Sequence, residues 1–477
     1  MLMKTASQSL TEQLANRFAE RIKSRLMASG ARLPSVRQCA AQQGVSASTV
    51  VAAYDQLLAQ GLVEARKNRG FYVRESATAQ QNRARAAITS VATKSPSAFE
   101  SQHNPVNATA LIRGMFSGHG SKPQPGMGVF PPDWLETTFL SAAVRRYTSG
   151  PALQSLSLHY GEPAGDSGLR QALSQKLSTL NINAPASQII TTVGATHALD
   201  IVSRTLLQAG DHVMVEEPGW AIEFARLNAL GMRILPVPRT AAGPDLDMMA
   251  RYCELHTPKL FVSVSVLHNP TGYSLNPGSA HRVLQLANQH NFHIVEDDTY
   301  SHLAPEHATR LCALDGLQRT IYVSGFAKIL APGWRVGYLA APTGLFERLL
   351  DTKLLASLTT PALLEKALAW CIDQGQLRRH AERIRARLDA ARALSVKLAM
   401  AHGCTFAAEP AGLFGWVDTG TDTEVLAQRM LDEGYLLAPG ALFHATRQPS
   451  TLMRINFATT QHAAFWRVFA RLTQAPH

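Results

Sequence analysis

Residues 323–338 read VSGFAKILAPGWRVGY, and the reading of this stretch sets the reading of everything around it. An apolar run leads into Lys328, and Arg335 follows seven residues later. An aldehyde cofactor needs an amine to hold it, and a buried lysine is the usual one. Arginine presents a planar fork of N–H donors that matches a phosphate in a way an ammonium cannot. The pair therefore predicts a ligand that carries both an aldehyde and a phosphate.

Working outward, apolar runs alternate with helical patterns over most of the chain, from about residue 108 to 477. IITTVGATHALDIVSRTLL (189–207), HVMVEEP (212–218), RILPVP (233–238), KLFVSVS (259–265), HIVEDDTY (293–300) and TIYVSGFAK (320–328) supply six candidate strands. Short β-rich runs separated by helices predict an α/β body with a mostly parallel sheet covered on both faces. Ligands of such sheets gather at the carboxyl ends of the strands.

The polar residues of interest fall there. Gly194, Ala195 and Thr196 follow a strand and open a helix, where backbone N–H groups and a hydroxyl can meet a phosphate. Trp220, in EEPGW, offers a flat face for a pyridine ring. Asn269, in LHNPTG, and Tyr300 can reach a phenolate oxygen on such a ring. Asp297, at the end of HIV, can pair with the ring nitrogen and keep it protonated, which makes the ring an electron sink. Arg454, in LMRINFA, suits bidentate capture of a ligand carboxylate. Singly these signals are weak; the Asp297-Asp298 pair beside Glu296, for instance, taken alone reads as a solvated loop. In this order, with 28 residues from Asn269 to Asp297 and 31 from Asp297 to Lys328, they point together to pyridoxal phosphate.

The first 75 residues are of another kind. Residues 1–76 hold eleven Lys and Arg against five Asp and Glu, and a net charge of +6 on a small module suits a polyanion. Leu14, Phe18, Ile22 and Leu26 recur every four residues and predict an amphipathic helix. Ser35 is a candidate N-cap for a short helix bearing Arg37, with Val36 and Ala40 inward, and Gly44 permits a turn. Ser46 caps the next helix, whose buried face is Val50, Tyr54 and Leu57. Leu62–Ala65 and Phe71–Val73 read as strands around a basic tip, Arg66-Lys67-Asn68-Arg69-Gly70. Residues 76–107, rich in Ser, Ala, Thr and Gln without apolar periodicity, read as a flexible linker, with at most a helical turn at Ala79–Ala87.

The remaining bounds are broad. Hydrophobic residues make up 46% of the chain and charged residues 17%, as in an ordinary globular protein. No run is long enough to span a bilayer, and MLMKTASQSLTEQL has no apolar segment of the secretory kind, so a cytoplasmic location is expected. Cys39, Cys253, Cys312, Cys371 and Cys404 lack metal-ligand spacing and are expected as free thiols, with no metal bound.

The head, with LPSVR, S-x-S-T-V-x-x-A-Y and a wing, resembles the GntR-type winged helix-turn-helix. That resemblance implies that Ser35, Arg37, Ser48, Thr49 and the wing residues Lys67, Arg69 and Gly70 face double-stranded DNA. Where that family often has an arginine after the capping serine, this chain has Ala47. The body resembles the fold-type-I aminotransferases, a large domain with a smaller C-terminal one. Carried over, Lys328 is the cofactor lysine, Asp297 the partner of the ring nitrogen, and Asn269 and Tyr300 the phenolate ligands. Trp220 stacks on the ring, Arg335 with Ala195 and Thr196 holds the phosphate, and Arg454 takes the ligand carboxylate. Tyr160, in HYGEPAG, would reach the phosphate of a neighbouring subunit, which implies a homodimer. Gly325 stands three before the lysine, where Ser or Thr is common, with Ser324 one place off. The whole chain resembles the MocR subfamily of GntR regulators, which implies a pyridoxal-phosphate-dependent transcriptional regulator responding to an amino compound. An active class I/II aminotransferase with an appended head is the alternative.

Overall fold

The computed structural model describes residues 8–23, 27, 30–66, 69–74, 122–148, 150–330 and 332–474. The linker, Leu26 and Lys67 lie outside these. The chain divides into two compact units. One holds residues up to Lys122 together with Glu424–Leu436; the other holds Pro123–Thr423 and Leu437–His477.

In the first unit, α1 (Leu10–Lys23) buries Leu14 and Phe18 against the rest of the head, with Ile22 at the margin. α2 (Val36–Gln43) begins at Ser35, whose hydroxyl accepts from the Gln38 amide while the Gln38 side chain answers the Ser35 amide. Reciprocal capping of this kind satisfies two N–H groups that a helix start otherwise leaves open. Gly44 closes α2 with φ 65°, a left-handed conformation that glycine adopts without strain. α3 (Ala47–Ala59) starts at Ser46, which accepts from the Thr49 amide. Val50, Tyr54 and Leu57 are fully buried, and the Tyr54 hydroxyl donates to the Pro34 carbonyl at 2.8 Å, tying α3 to the entry of α2. β1 (Val63–Arg66) and β2 (Gly70–Val73) form the antiparallel wing, and Arg32 bridges to Tyr72 as a third short edge. Arg21 of α1 pairs with Asp432 at 2.8 Å within this unit.

The second unit is built on a seven-stranded sheet, one strand more than the apolar runs predict. Its members are β3 (Ile189–Thr192), β4 (His212–Glu217), β5 (Arg233–Pro238), β6 (Leu260–Ser263), β7 (His293–Asp297), β8 (Thr320–Gly325) and β9 (Gly337–Ala340). Their order is β3-β9-β8-β7-β6-β4-β5, parallel from β8 to β5, with β9 antiparallel to both of its neighbours. β9 is the strand missed by the sequence reading. Four residues directly behind the Arg335 motif are too few to show a period of their own. Alternation sends Val213, Val215, Val295 and Leu339 to one face and Met214, Phe261 and Ile294 to the other, each face covered by helices. Burying one such aliphatic side chain contributes about 1.5–3 kcal/mol. The smaller sheet joins β10 (Thr405–Phe406), β11 (Phe414–Asp418), β12 (Ala438–Pro439) and β13 (Leu452–Asn456) in the order β10-β11-β13-β12, all antiparallel. No described helix is long and apolar enough to cross a membrane, and all five cysteines are buried free thiols.

Candidate functional site

The carboxyl ends of β3, β7 and β8 lie along one edge of the large sheet. Because β9 runs antiparallel, its amino end falls on the same edge, and Arg335 just before it joins the residues after the parallel strands. Tertiary structure thus brings Lys328, Asp297, Tyr300, Asn269, Arg335 and Arg454 into one electrostatic neighbourhood.

Lys328 is half-buried, and its ammonium donates to the Gly128 carbonyl at 2.8 Å. Burial pulls its pKa down to about 8, with Arg454 and Arg335 acting in the same direction and Asp297 against them. Asp297 is pushed up to about 6 by burial, although the Thr299 amide donates to its carboxylate at 3.0 Å and the Thr299 hydroxyl donates as well. Burial also raises the Tyr300 phenol, whose ring packs edge-on against Phe414 with centroids 5.5 Å apart. The Lys328 ammonium lies 5.8 Å from the centre of the Tyr300 ring. Trp220 and Asp297 line one small cavity with Glu223 and His268.

The edge expected from the sequence to meet a phosphate is built largely from backbone. The helix Ala195–Leu206 starts at Gly194 without any side-chain cap, which leaves its first amides without a capping partner. Arg335 donates to the Val193 carbonyl at 3.2 Å. A Cβ on Gly194 (φ 79°) would lie 2.4 Å from the Arg335 guanidinium, and one on Gly337 would lie 2.4 Å from the Gly194 carbonyl carbon. Two glycines thus let a helix start and an arginine approach each other. Thr196 is exposed at this edge, and the His197 ring accepts from the Val193 amide at 3.1 Å. The Ser324 hydroxyl donates to the Asp298 carbonyl instead, so it does not replace the hydroxyl missing at Gly325.

Arg454 is buried against the faces of Phe414 and Phe443, donates to Asn269 at 3.0 Å and to the Gly126 carbonyl, and leaves its Nε without a partner among the described residues. Burial lowers it to about 10. Tyr160 is 83% exposed.

Several contributors were missed in the sequence. Gly126–Val129 form a bridge over Lys328: Asn456 donates to the Met127 and Val129 carbonyls, and a Cβ on Gly128 would come within 3.5 Å of the lysine nitrogen. The Gly-Met-Gly triplet was the available signal. His380 contacts the Ile329 carbonyl at 2.6 Å and steadies the lysine loop from a distant helix. Glu296 and Asp298 are not a solvated loop. Glu296 accepts from the Leu311 and Cys312 amides, and Asp298 pairs with Arg310 at 2.6 Å and with the Tyr322 hydroxyl.

In the head, Arg37 and Ser48 are exposed and Thr49 half-buried at the start of α3. The Ser46 hydroxyl lies 2.8 Å from both the Ser48 and Thr49 hydroxyls, holding them as one cluster. Arg69 and Gly70 are exposed at the wing, and Arg32, unremarked in the sequence, lies with its guanidinium beside Gly70. Ser35 is engaged as the cap of α2.

Two family models match the chain: aminotransferase class I and II over residues 140–472, and bacterial regulatory proteins of the gntR family over residues 10–73. The uncharacterized HTH-type transcriptional regulator YisV of Bacillus subtilis strain 168 is 26% identical over 451 residues, covering 90% of this chain and 88% of its own length. Aromatic-amino-acid aminotransferase 1 of Thermococcus litoralis is 29% identical over 316 residues, covering 63% of this chain and 75% of that one. Among solved structures, the α-aminoadipate aminotransferase LysN of Thermus thermophilus superposes with a TM-score of 0.69 at 23% identity, over 76% of this chain and 94% of that one. The chain therefore belongs to the aminotransferase class I and II family and, with a gntR-family domain at its head, has the architecture of the MocR regulators.

Proposed function

We propose that this protein is a pyridoxal-phosphate-dependent, DNA-binding transcriptional regulator whose aminotransferase-like body responds to an amino compound. One observation carries the reading: a chain with a winged helix-turn-helix head holds a half-buried lysine, a carboxylate, a phenol and two arginines in one neighbourhood. The residues fit the cofactor. The uncapped helix start beside Arg335 suits a phosphate, and an orphaned Arg454 Nε suits a ligand oxygen.

Bound, pyridoxal phosphate supplies an aldehyde that captures primary amines and a ring that acts as an electron sink. Lys328, its pKa lowered to about 8, would present a neutral amine above that pH and so could hold the cofactor or receive a proton. Asp297 would hold a proton at the ring nitrogen, while Tyr300 and Asn269 would bind the phenolate oxygen. Trp220 would cover one face of the ring, and Arg335, Ala195 and Thr196 would orient the phosphate. Arg454 would exchange its contact to Gly126 or Asn269 for an amino acid's carboxylate. Two heads of a homodimer would meet paired half-sites through Arg37, Ser48, Thr49 and the wing.

The alternative, an active aminotransferase, is favoured by the same completeness of the site. Footprinting on DNA flanking the gene, with pyridoxal phosphate and a panel of amino acids, separates the two. The regulator reading expects an amine-dependent shift in DNA affinity of about 1–3 kcal/mol that is absent in Lys328→Ala. Steady transamination at ordinary enzymatic rates with DNA binding indifferent to every amine would establish the enzyme instead.

A further inference from the structure

Away from the cofactor edge, a cleft of about 300 Å³ opens between the helix Ser167–Ser178, the turn Ser301–Leu303 and the junction of the helices Ala362–Asp373 and Gln376–Ala401. Its lining divides in two. Ala172, Leu180, Ile372 and Leu377 give an apolar wall, and Lys176, Arg378 and Arg385 give three cations. Among the described residues, neither Lys176 nor Arg385 has an ion-pair or hydrogen-bond partner; Arg378 meets Glu382 at 3.2 Å and is mostly exposed. Glu306 and Asp373 also line the cleft, on exposed positions at its mouth, and leave an excess of positive charge.

The second observation is buried. His302 lines this cleft, is 6% exposed, and its Nε2 has no partner among the described residues. Buried polar atoms are nearly always satisfied, so a ring nitrogen left without a partner in the wall of the cleft is unusual. Two more orphans, Asp298 Oδ1 and Arg310 Nη2, belong to the buried ion pair whose charges act on Lys176. None of these residues is used in the cofactor reading.

We propose that this cleft is a second ligand site, taking a small organic carboxylate with an apolar body. Unpaired guanidinium and ammonium groups select an oxyanion, and the apolar wall and the volume select a carbon skeleton over a bare phosphate. His302 follows Tyr300 by two residues, and the Ser301 hydroxyl lies 3.3 Å from that of Ser324 on β8. An occupant therefore bears on the segment that carries Tyr300 and Asp297.

The test is calorimetric titration of the full-length chain, loaded with pyridoxal phosphate, with 3-phenylpropionate as probe. The Arg454→Ala background removes capture at the cofactor edge. Saturable binding is expected there, weakened about tenfold by Lys176→Met or by Arg385→Met, the loss expected for one charge-assisted contact. Arg378→Gln, an exposed substitution that leaves folding untouched, should weaken it by a smaller factor, and inorganic phosphate should not compete. The proposal is overturned by absence of saturable binding at millimolar probe, or by binding indifferent to all three substitutions. Equal competition by phosphate would overturn the apolar-body requirement.

Discussion

At the scale of single residues, Lys328 and Gly194 carry the sharpest expectations. A lysine whose pKa falls from 10.5 to about 8 resists protonation in the fold. Pyridoxal phosphate should accordingly attach to the apoprotein with a rate that rises through a midpoint near 8. Stopped-flow absorbance across pH would show this, and a midpoint near the ordinary lysine value would contradict the half-buried site. The same shift bears on stability. The unfolded chain holds the proton more tightly between pH 8 and 10.5, so stability rises with pH over that window. Lys328→Met keeps the volume and removes the half-buried charge, and should stabilise the apoprotein by up to about 3 kcal/mol at pH 7. That gain should fade as pH climbs past the window, which denaturant titrations at several pH values would detect. Gly194→Ala would drive a Cβ to 2.4 Å from the Arg335 guanidinium at a positive φ. Cofactor affinity should fall by at least about tenfold, as for loss of a charge-assisted contact, with Lys328 still reactive towards free pyridoxal. Unchanged affinity would place the phosphate elsewhere.

At the scale of elements, the head depends on how α3 begins. Ser46 caps the helix and gathers the Ser48 and Thr49 hydroxyls at 2.8 Å each, so the helix start and the groups proposed to face DNA share one support. Ser46→Ala should cost about 1 kcal/mol of head stability and weaken specific DNA binding. Ser46→Asp should restore the stability but not the binding, because a carboxylate repels phosphates. Thermal unfolding and gel-shift titrations read the two effects separately, and equal recovery of both would show that only helix stability mattered. The wing acts through charge. Arg69→Ala should lower affinity for all sequences alike and reduce the log–log salt slope by about 1 if that arginine meets a phosphate. The sequence showed these elements well: Val50, Tyr54 and Leu57 recur at helical spacing and are all buried. β9 escaped because a buried four-residue strand carries no periodic signal.

At the scale of the whole molecule, Tyr160 is the proposed cofactor residue that stands 83% exposed. In a homodimer with shared sites, a mixed dimer of Tyr160→Ala and Lys328→Ala chains would have one site with both defects and one with neither. Each variant alone should retain cofactor poorly, and the mixture should regain borohydride-fixed pyridoxyl groups. No recovery on mixing would confine each site to a single chain.

The sequence alone determined the α/β class and the family of each part, a gntR-type head ahead of an aminotransferase-like body. Those properties are written in local periodicity, capping residues and spacing along the chain. It could not determine which distant groups pack around Lys328. Gly128 of the bridge, Asn456 and His380 lie 200, 128 and 52 residues from it, and only packing brings them together. The protonation of the site was equally a tertiary outcome. Glu296 and Asp298 look like solvent-facing acids in the sequence, yet both are enclosed, with Glu296 raised to about 7 and Asp298 shifted upward. Desolvation is set by everything that surrounds a carboxylate, and a linear string of residues does not specify that enclosure.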